Sequence, residues 1–133
     1  MSRLPLLVLA ALALVASAAC TTADASTPLR VEIRIHYSRF EPASDTVPAG
    51  VAVTYVIRNE DPIDHEWLIG DAAFHQRHRS GTEPVHGDRP DEISVPPNTT
   101  KTTTLTLPVG SYLYICHFPL HEEYGMIGVV NAR

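Results

Sequence analysis

Two apolar stretches, Tyr112-Leu-Tyr-Ile-Cys116 and Ile127-Gly-Val-Val130, flank a loop that sets Cys116, His121 and Met126 at intervals of five residues. That loop constrains the fold more than any other feature. Short apolar runs bounded by turn residues read as strands, so the loop has to cap one end of a β-layer and gather its donor atoms there. A thiolate, an imidazole and a thioether on one loop suit a copper ion that cycles between Cu(I) and Cu(II). Soft sulfur holds Cu(I), imidazole suits both states, and the matching arrangement is a trigonal His₂Cys site with a long, weak axial Met. A second imidazole is needed, and the segment Asn59-Glu-Asp-Pro-Ile-Asp-His65 can supply it. The expected metal ligands are therefore His65, Cys116, His121 and Met126, with Met126 tuning the potential more than holding the ion.

The pattern Cys116-x₄-His121-x₄-Met126, with Gly110-x-Tyr112-x-Tyr114 before it and Ile127-Gly-Val-Val130 after it, resembles the cupredoxins, the group of plastocyanin and azurin. The resemblance runs from about Leu29 to the C-terminus. Phe40-Glu-Pro42, Val47-Pro-Ala-Gly50 and the run from Val51 to Asn59 are similar to the family's early strands and the turn between them. His65-Glu-Trp-Leu-Ile-Gly-Asp71, followed by a His-bearing insertion, is closest to a bacterial envelope subgroup that often sits near copper-tolerance functions. This chain departs from that subgroup in lacking methionines in the insertion, because Met126 is its only methionine after Met1. The resemblance implies a type 1 (blue) copper site. It also implies that Asn59 ties the His65 segment to the Cys116 loop, and that the backbone N–H of Phe118 points at the Cys116 sulfur. Pro119 would stiffen the loop by fixing φ.

The rest of the chain reads as an all-β protein: an antiparallel Greek-key β-sandwich with a short, partly helical insertion. Val31, Ile33, Ile35 and Tyr37 alternate with Glu32, Arg34 and His36, which predicts a half-buried strand with His36 on the solvated face. Val51 to Ile57 alternates likewise after the turn at Pro48-Ala-Gly50. His65–Ile69, Ile93–Val95 and Thr103–Leu107 follow as further short strands, for roughly seven or eight in all. Gly70 to Asp91 breaks the period. There Asp71 is placed to cap a helix that Gly81 ends, with His75 and His78 on one face. Those two histidines, with His86 and Glu66, could form a second, weaker copper site; the alternative is a polar loop that happens to carry imidazoles. His117 neighbours Cys116, but adjacent residues on an extended chain point to opposite faces. It should not reach the same ion.

Ahead of the domain, Arg3 and the apolar run Leu4–Ala19 read as an export signal, too short to span a bilayer with margin. Two cleavage readings compete. Ala16-Ser-Ala18 fits an ordinary signal-peptidase site, whereas Ser17-Ala-Ala-Cys20 fits a lipoprotein box that acylates Cys20 and anchors the protein to a membrane. The position of Cys20 at the end of the apolar run favours the second. The expected organisation is a signal over 1–19, a tether over 20–28 and one domain over 29–133. With Cys20 acylated, Cys116 is left as a lone thiol in an oxidising compartment, a liability unless a metal occupies it. The formal charge of −5, one unit more negative once Arg3 is removed, argues against nucleic acid as a partner. No acid–base constellation suggests an enzyme. The expectation is a monomeric, exported protein that passes single electrons between redox partners, or alternatively one that sequesters or delivers copper.

Overall fold

The computed structural model describes residues 29–82, 87 and 89–133. The expected export signal and tether, with Cys20, and His86 lie outside the described residues. Nine strands and one helix make up the described chain: β1 (Leu29–Ile35), β2 (Phe40–Glu41), β3 (Ser44–Val47), β4 (Ala52–Asn59), β5 (His65–Gly70), α1 (Ala72–Ser80), β6 (Glu92–Val95), β7 (Thr100–Thr106), β8 (Gly110–Ile115) and β9 (Ile127–Ala132). They form two sheets, β2-β1-β4-β7 and β3-β9-β8-β5-β6. The expected sandwich is present.

The expectation of a wholly antiparallel arrangement needs correction, since β1 pairs with β4 in parallel and β3 with β9 in parallel. The reason lies in the crossing after β1. The chain passes from β2 in the first sheet to β3 in the second, then returns to lie beside β1 running the same way. β2 and β3 are too short to carry an alternation of their own. Tyr37 was expected to continue the inward face of β1, but the strand ends at Ile35 and Tyr37 turns out at φ +52°, 82% exposed.

The alternating residues meet between the sheets. Val31, Ile33 and Ile35 of β1 and Val53, Tyr55 and Ile57 of β4 pack against Trp67, Ile69, Tyr114 and Val130. Trp67 lies at the middle, its ring centroid 5.1 Å from Tyr55 and 6.2 Å from Tyr114. Tyr114 reaches across to donate its hydroxyl to the Pro42 carbonyl at 2.5 Å. Its ring passes so close to Gly128 that a Cβ there would lie 2.1 Å from it. Only glycine lets β9 run at that height.

Helix α1 forms where the sequence predicts it. Asp71 accepts a hydrogen bond from the Phe74 N–H at 2.7 Å as its N-cap, and Gly81, at φ +63°, closes it with its N–H on the His78 carbonyl. Phe74 and His75 are the helix residues turned inward.

Candidate metal centre

Three elements bring the donors together. β5 begins at His65, β8 ends one residue before Cys116, and the loop from 116 to 126 folds back so that Met126 starts the return to β9. The loop is closed by its own backbone. Met126 N–H donates to the His121 carbonyl at 2.9 Å, and Cys116 N–H donates to the Met126 carbonyl at 3.3 Å. Gly125, at φ +89°, makes the turn that delivers Met126 inward, where its side chain is fully buried. His65 and Cys116 are also fully buried, and His121 is half-buried at the rim.

One donor atom each from His65, Cys116 and His121 lie within 4.8 Å of one another. The Cys116 Sγ is 3.2 Å from His121 Nδ1, and the two imidazole rings are 5.0 Å apart between centroids. His65 Nε2 is held by the Asp61 carboxylate at 2.9 Å, while its Nδ1 is buried with no hydrogen-bond partner. A buried, unpartnered imidazole nitrogen beside a thiol and a second imidazole is what a soft metal ion would satisfy. The donor set therefore fits copper. All four sequence-predicted ligands lie at this one end of the sandwich.

Burial pushes the Cys116 thiol up to about 11, against the pull of the Glu66 and Phe118 backbone N–H groups; the Glu66 charge adds to the rise. Without a metal the sulfur is thus a thiol. Burial lowers the pKa of His65 below the usual imidazole value, with Asp61 opposing. It presents a neutral ring at neutral pH.

The tie between the His65 segment and the Cys116 loop is made by Glu66, which the sequence offers only as a possible donor to a second site. Its N–H points at Cys116 Sγ at 3.5 Å, and its Oε1 accepts the His117 N–H at 2.8 Å. Asn59 works elsewhere. Its side-chain amide donates to the carbonyls of Ile63, Val95 and Pro96, and its Oδ1 accepts the Asp61 N–H. It shapes the turn leading into β5, and so acts on His65 from that side.

The possible second copper site around Glu66, His75, His78 and His86 does not assemble among the described residues, which favours the alternative of a segment that carries imidazoles for other reasons. His75 is fully buried and has both nitrogens engaged. Its Nε2–H donates to the Leu113 carbonyl at 3.1 Å, and its Nδ1 lies 2.9 Å from His117 Nε2, in hydrogen-bond reach. His78 Nε2 is 3.8 Å from Glu66 Oε1, the oxygen already bonded to the His117 N–H. His117 turns away from Cys116, as expected, and packs between the His75 and His78 rings with Nδ1 3.0 Å from Glu122. Burial drives its pKa down to about 4 despite the Glu122 charge. Arg79 in turn clasps Glu122 and holds that carboxyl below its ordinary range. These imidazoles fasten α1 to the Cys116 loop.

A model of the cupredoxin-like domain matches residues 6–129. The copper-resistant cuproprotein CopI of Rubrivivax gelatinosus is 32% identical over 100 residues, covering 71% of this chain and 60% of that relative's length. Auracyanin B, at 25% identity, superposes with a TM-score of 0.61 over 80% of this chain and 91% of its own. Auracyanin A, a "blue" copper protein from Chloroflexus aurantiacus, gives 26% identity and a TM-score of 0.61, covering 80% of this chain and 100% of its own. The reduced auracyanin of Roseiflexus castenholzii, 24% identical with a TM-score of 0.64 over 78% of this chain and 96% of its own, adds a likeness of fold.

Proposed function

The chain belongs to the cupredoxin family, and from that premise we propose that it carries single electrons on one type 1 copper held by His65, Cys116, His121 and Met126. The observation that carries the reading is the grouping of one donor atom each from His65, Cys116 and His121 within 4.8 Å, with His65 Nδ1 buried and unpartnered. When bound, copper supplies a one-electron couple. The residues supply everything that makes the couple usable. Cys116 would give the thiolate, His65 and His121 would give the two imidazoles, and the Met126 thioether would be the weaker donor that tunes the couple. Backbone bonds across the loop, the Glu66 bridge and the imidazole packing behind Cys116 hold these donors fixed. A fixed donor set changes little between oxidation states, which an electron carrier needs.

His121 is the outlet for the electron. It is the one half-buried member of the set, and exposed Leu120 and Tyr124 lie on the same loop. A redox partner docking there would approach the copper through a single imidazole. Export to the cell envelope, with a lipid anchor on Cys20, belongs to the same reading. In that case Cys20→Ala should move the protein from the membrane fraction to the soluble one.

A second reading, copper sequestration or delivery, draws support from the likeness to a copper-resistant cuproprotein. Copper titration together with electron exchange separates the two. One equivalent bound per chain, with an intense thiolate-to-copper band and rapid self-exchange between Cu(I) and Cu(II) forms, supports the carrier. A second, exchangeable equivalent, with copper sensitivity in cells lacking the protein, would put copper handling first.

A further inference from the structure

We propose that Asp61 is a positioning residue of the metal centre, a buried carboxylate that presents His65 with Nδ1 bare and favours the oxidised state of the metal. The inference rests on the copper reading above. Asp61 is 5% exposed, and its carboxylate is filled by three N–H donors. Tyr37 N–H reaches Oδ1 at 2.7 Å, while Ser38 N–H at 2.7 Å and His65 Nε2 at 2.9 Å share Oδ2. A carboxylate in this place only accepts, so the ring proton of neutral His65 sits on Nε2 and leaves Nδ1 free for the metal. The Asn59 side chain fixes Asp61 by accepting its N–H, and Asn98 N–H bonds the Asp61 carbonyl.

The loop that satisfies Asp61 also touches the other side of the site. Tyr37 and Ser38 both sit in the left-handed region, at φ +52° and +51°, which turns their N–H groups onto the carboxylate. The next residue, Arg39, donates to the Gly125 carbonyl at 3.3 Å, one residue before Met126. One loop therefore braces the His65 end through Asp61 and the Met126 end through Arg39.

The charge balance gives the direction of the effect. Cu(II) with one thiolate carries a single positive charge, which Asp61 neutralises. Cu(I) with one thiolate is neutral, so Asp61 leaves the reduced site negative in a buried place. Asp61 must therefore stabilise the oxidised form and lower the potential. Supporting partners of metal-bound histidines typically change metal affinity about 10- to 100-fold. If Asp61→Asn weakens Cu(II) binding tenfold more than Cu(I) binding, the potential rises by about 59 mV.

Two measurements test this. In the unmodified apoprotein labelled with ¹⁵N, His65 should be the neutral Nε2–H form, with a slowly exchanging ring proton; a proton on Nδ1 overturns the proposal without any copper present. In the copper-loaded protein, Asp61→Asn should keep the thiolate-to-copper band while its potential rises. Glu32→Gln, which removes an equally charged but exposed carboxylate on β1, should leave the potential where it was. An unchanged potential in Asp61→Asn, or an equal rise in Glu32→Gln, overturns the proposal. Should Asp61→Asn fail to fold, the apoprotein measurement decides. Failure of the copper reading looks different: the wild type itself would lack the thiolate band, and this inference would fall with it.

Discussion

Copper binding should weaken about tenfold for each pH unit lowered between pH 9 and pH 7, because the ligand sulfur has to lose a proton first. Burial raises the Cys116 thiol to about 11, so at pH 7 the sulfur is four units below its pKa. Roughly one molecule in ten thousand then carries the thiolate, and creating it costs about 5 kcal/mol at about 1.36 kcal/mol per unit. His65 adds no slope in this window, since burial keeps its pKa below the usual imidazole value. The same shift acts on the apoprotein with a definite sign. The unfolded thiol ionises near 9.0 and the folded one near 11, so the stability from the buried thiol is fully present below pH 9. It is lost as pH rises through 11, by about 3 kcal/mol. The assay is competition for Cu(I) against a chelator whose own protonation is known, with denaturant unfolding of the apoprotein from pH 8 to 11 alongside. Cys116→Ser should abolish both slopes. Affinity that stays flat from pH 7 to 9 in the wild type would refute the reasoning, since the sulfur would then be ionised already or absent from the site.

Three further outcomes follow from the geometry. Met126→Leu should keep a coloured site at a higher potential, read by voltammetry, because the axial thioether tunes the couple more than it holds the ion. Glu66→Ala removes the acceptor of the His117 N–H and should destabilise the fold by about 1–3 kcal/mol in chemical denaturation, while one copper still binds. His75→Ala strips partners from both the Leu113 carbonyl and His117. It should cost at least about 2 kcal/mol of stability and leave the bound copper count unchanged, which separates a structural imidazole from a ligand.

The parts of this account that were legible in the sequence are those with a local signature. The strand–loop–strand pattern around Cys116, His121 and Met126 gave the end of the sandwich where donors would gather, and Asp71 and Gly81 marked both ends of α1. The crossing that makes β1 and β4 parallel was not legible, because β2 and β3 hold two and four residues and show no period. Tyr37 kept the alternation in sequence while the backbone left the strand, since Asp61 draws the N–H groups of Tyr37 and Ser38 inward. The partners of Glu66 and Asn59 were not legible for a related reason. Each acts through hydrogen bonds to backbone distant in sequence, Glu66 to His117 and Asn59 to Val95 and Pro96. Asp61 had a faint signal, a carboxylate four residues before a ligand histidine in a turn. His75 and His117 had only their residue type. Nothing local says that α1 folds back onto the Cys116 loop.

Copper K-edge X-ray absorption of the oxidised protein carrying one copper tests the central claim most directly, because it reads the donor atoms themselves. The account predicts one short thiolate sulfur and two imidazole nitrogens, with the sulfur lost in Cys116→Ser and one imidazole lost in His65→Ala. A wild-type spectrum built from nitrogen and oxygen donors alone, or one that Cys116→Ser leaves unchanged, would contradict it.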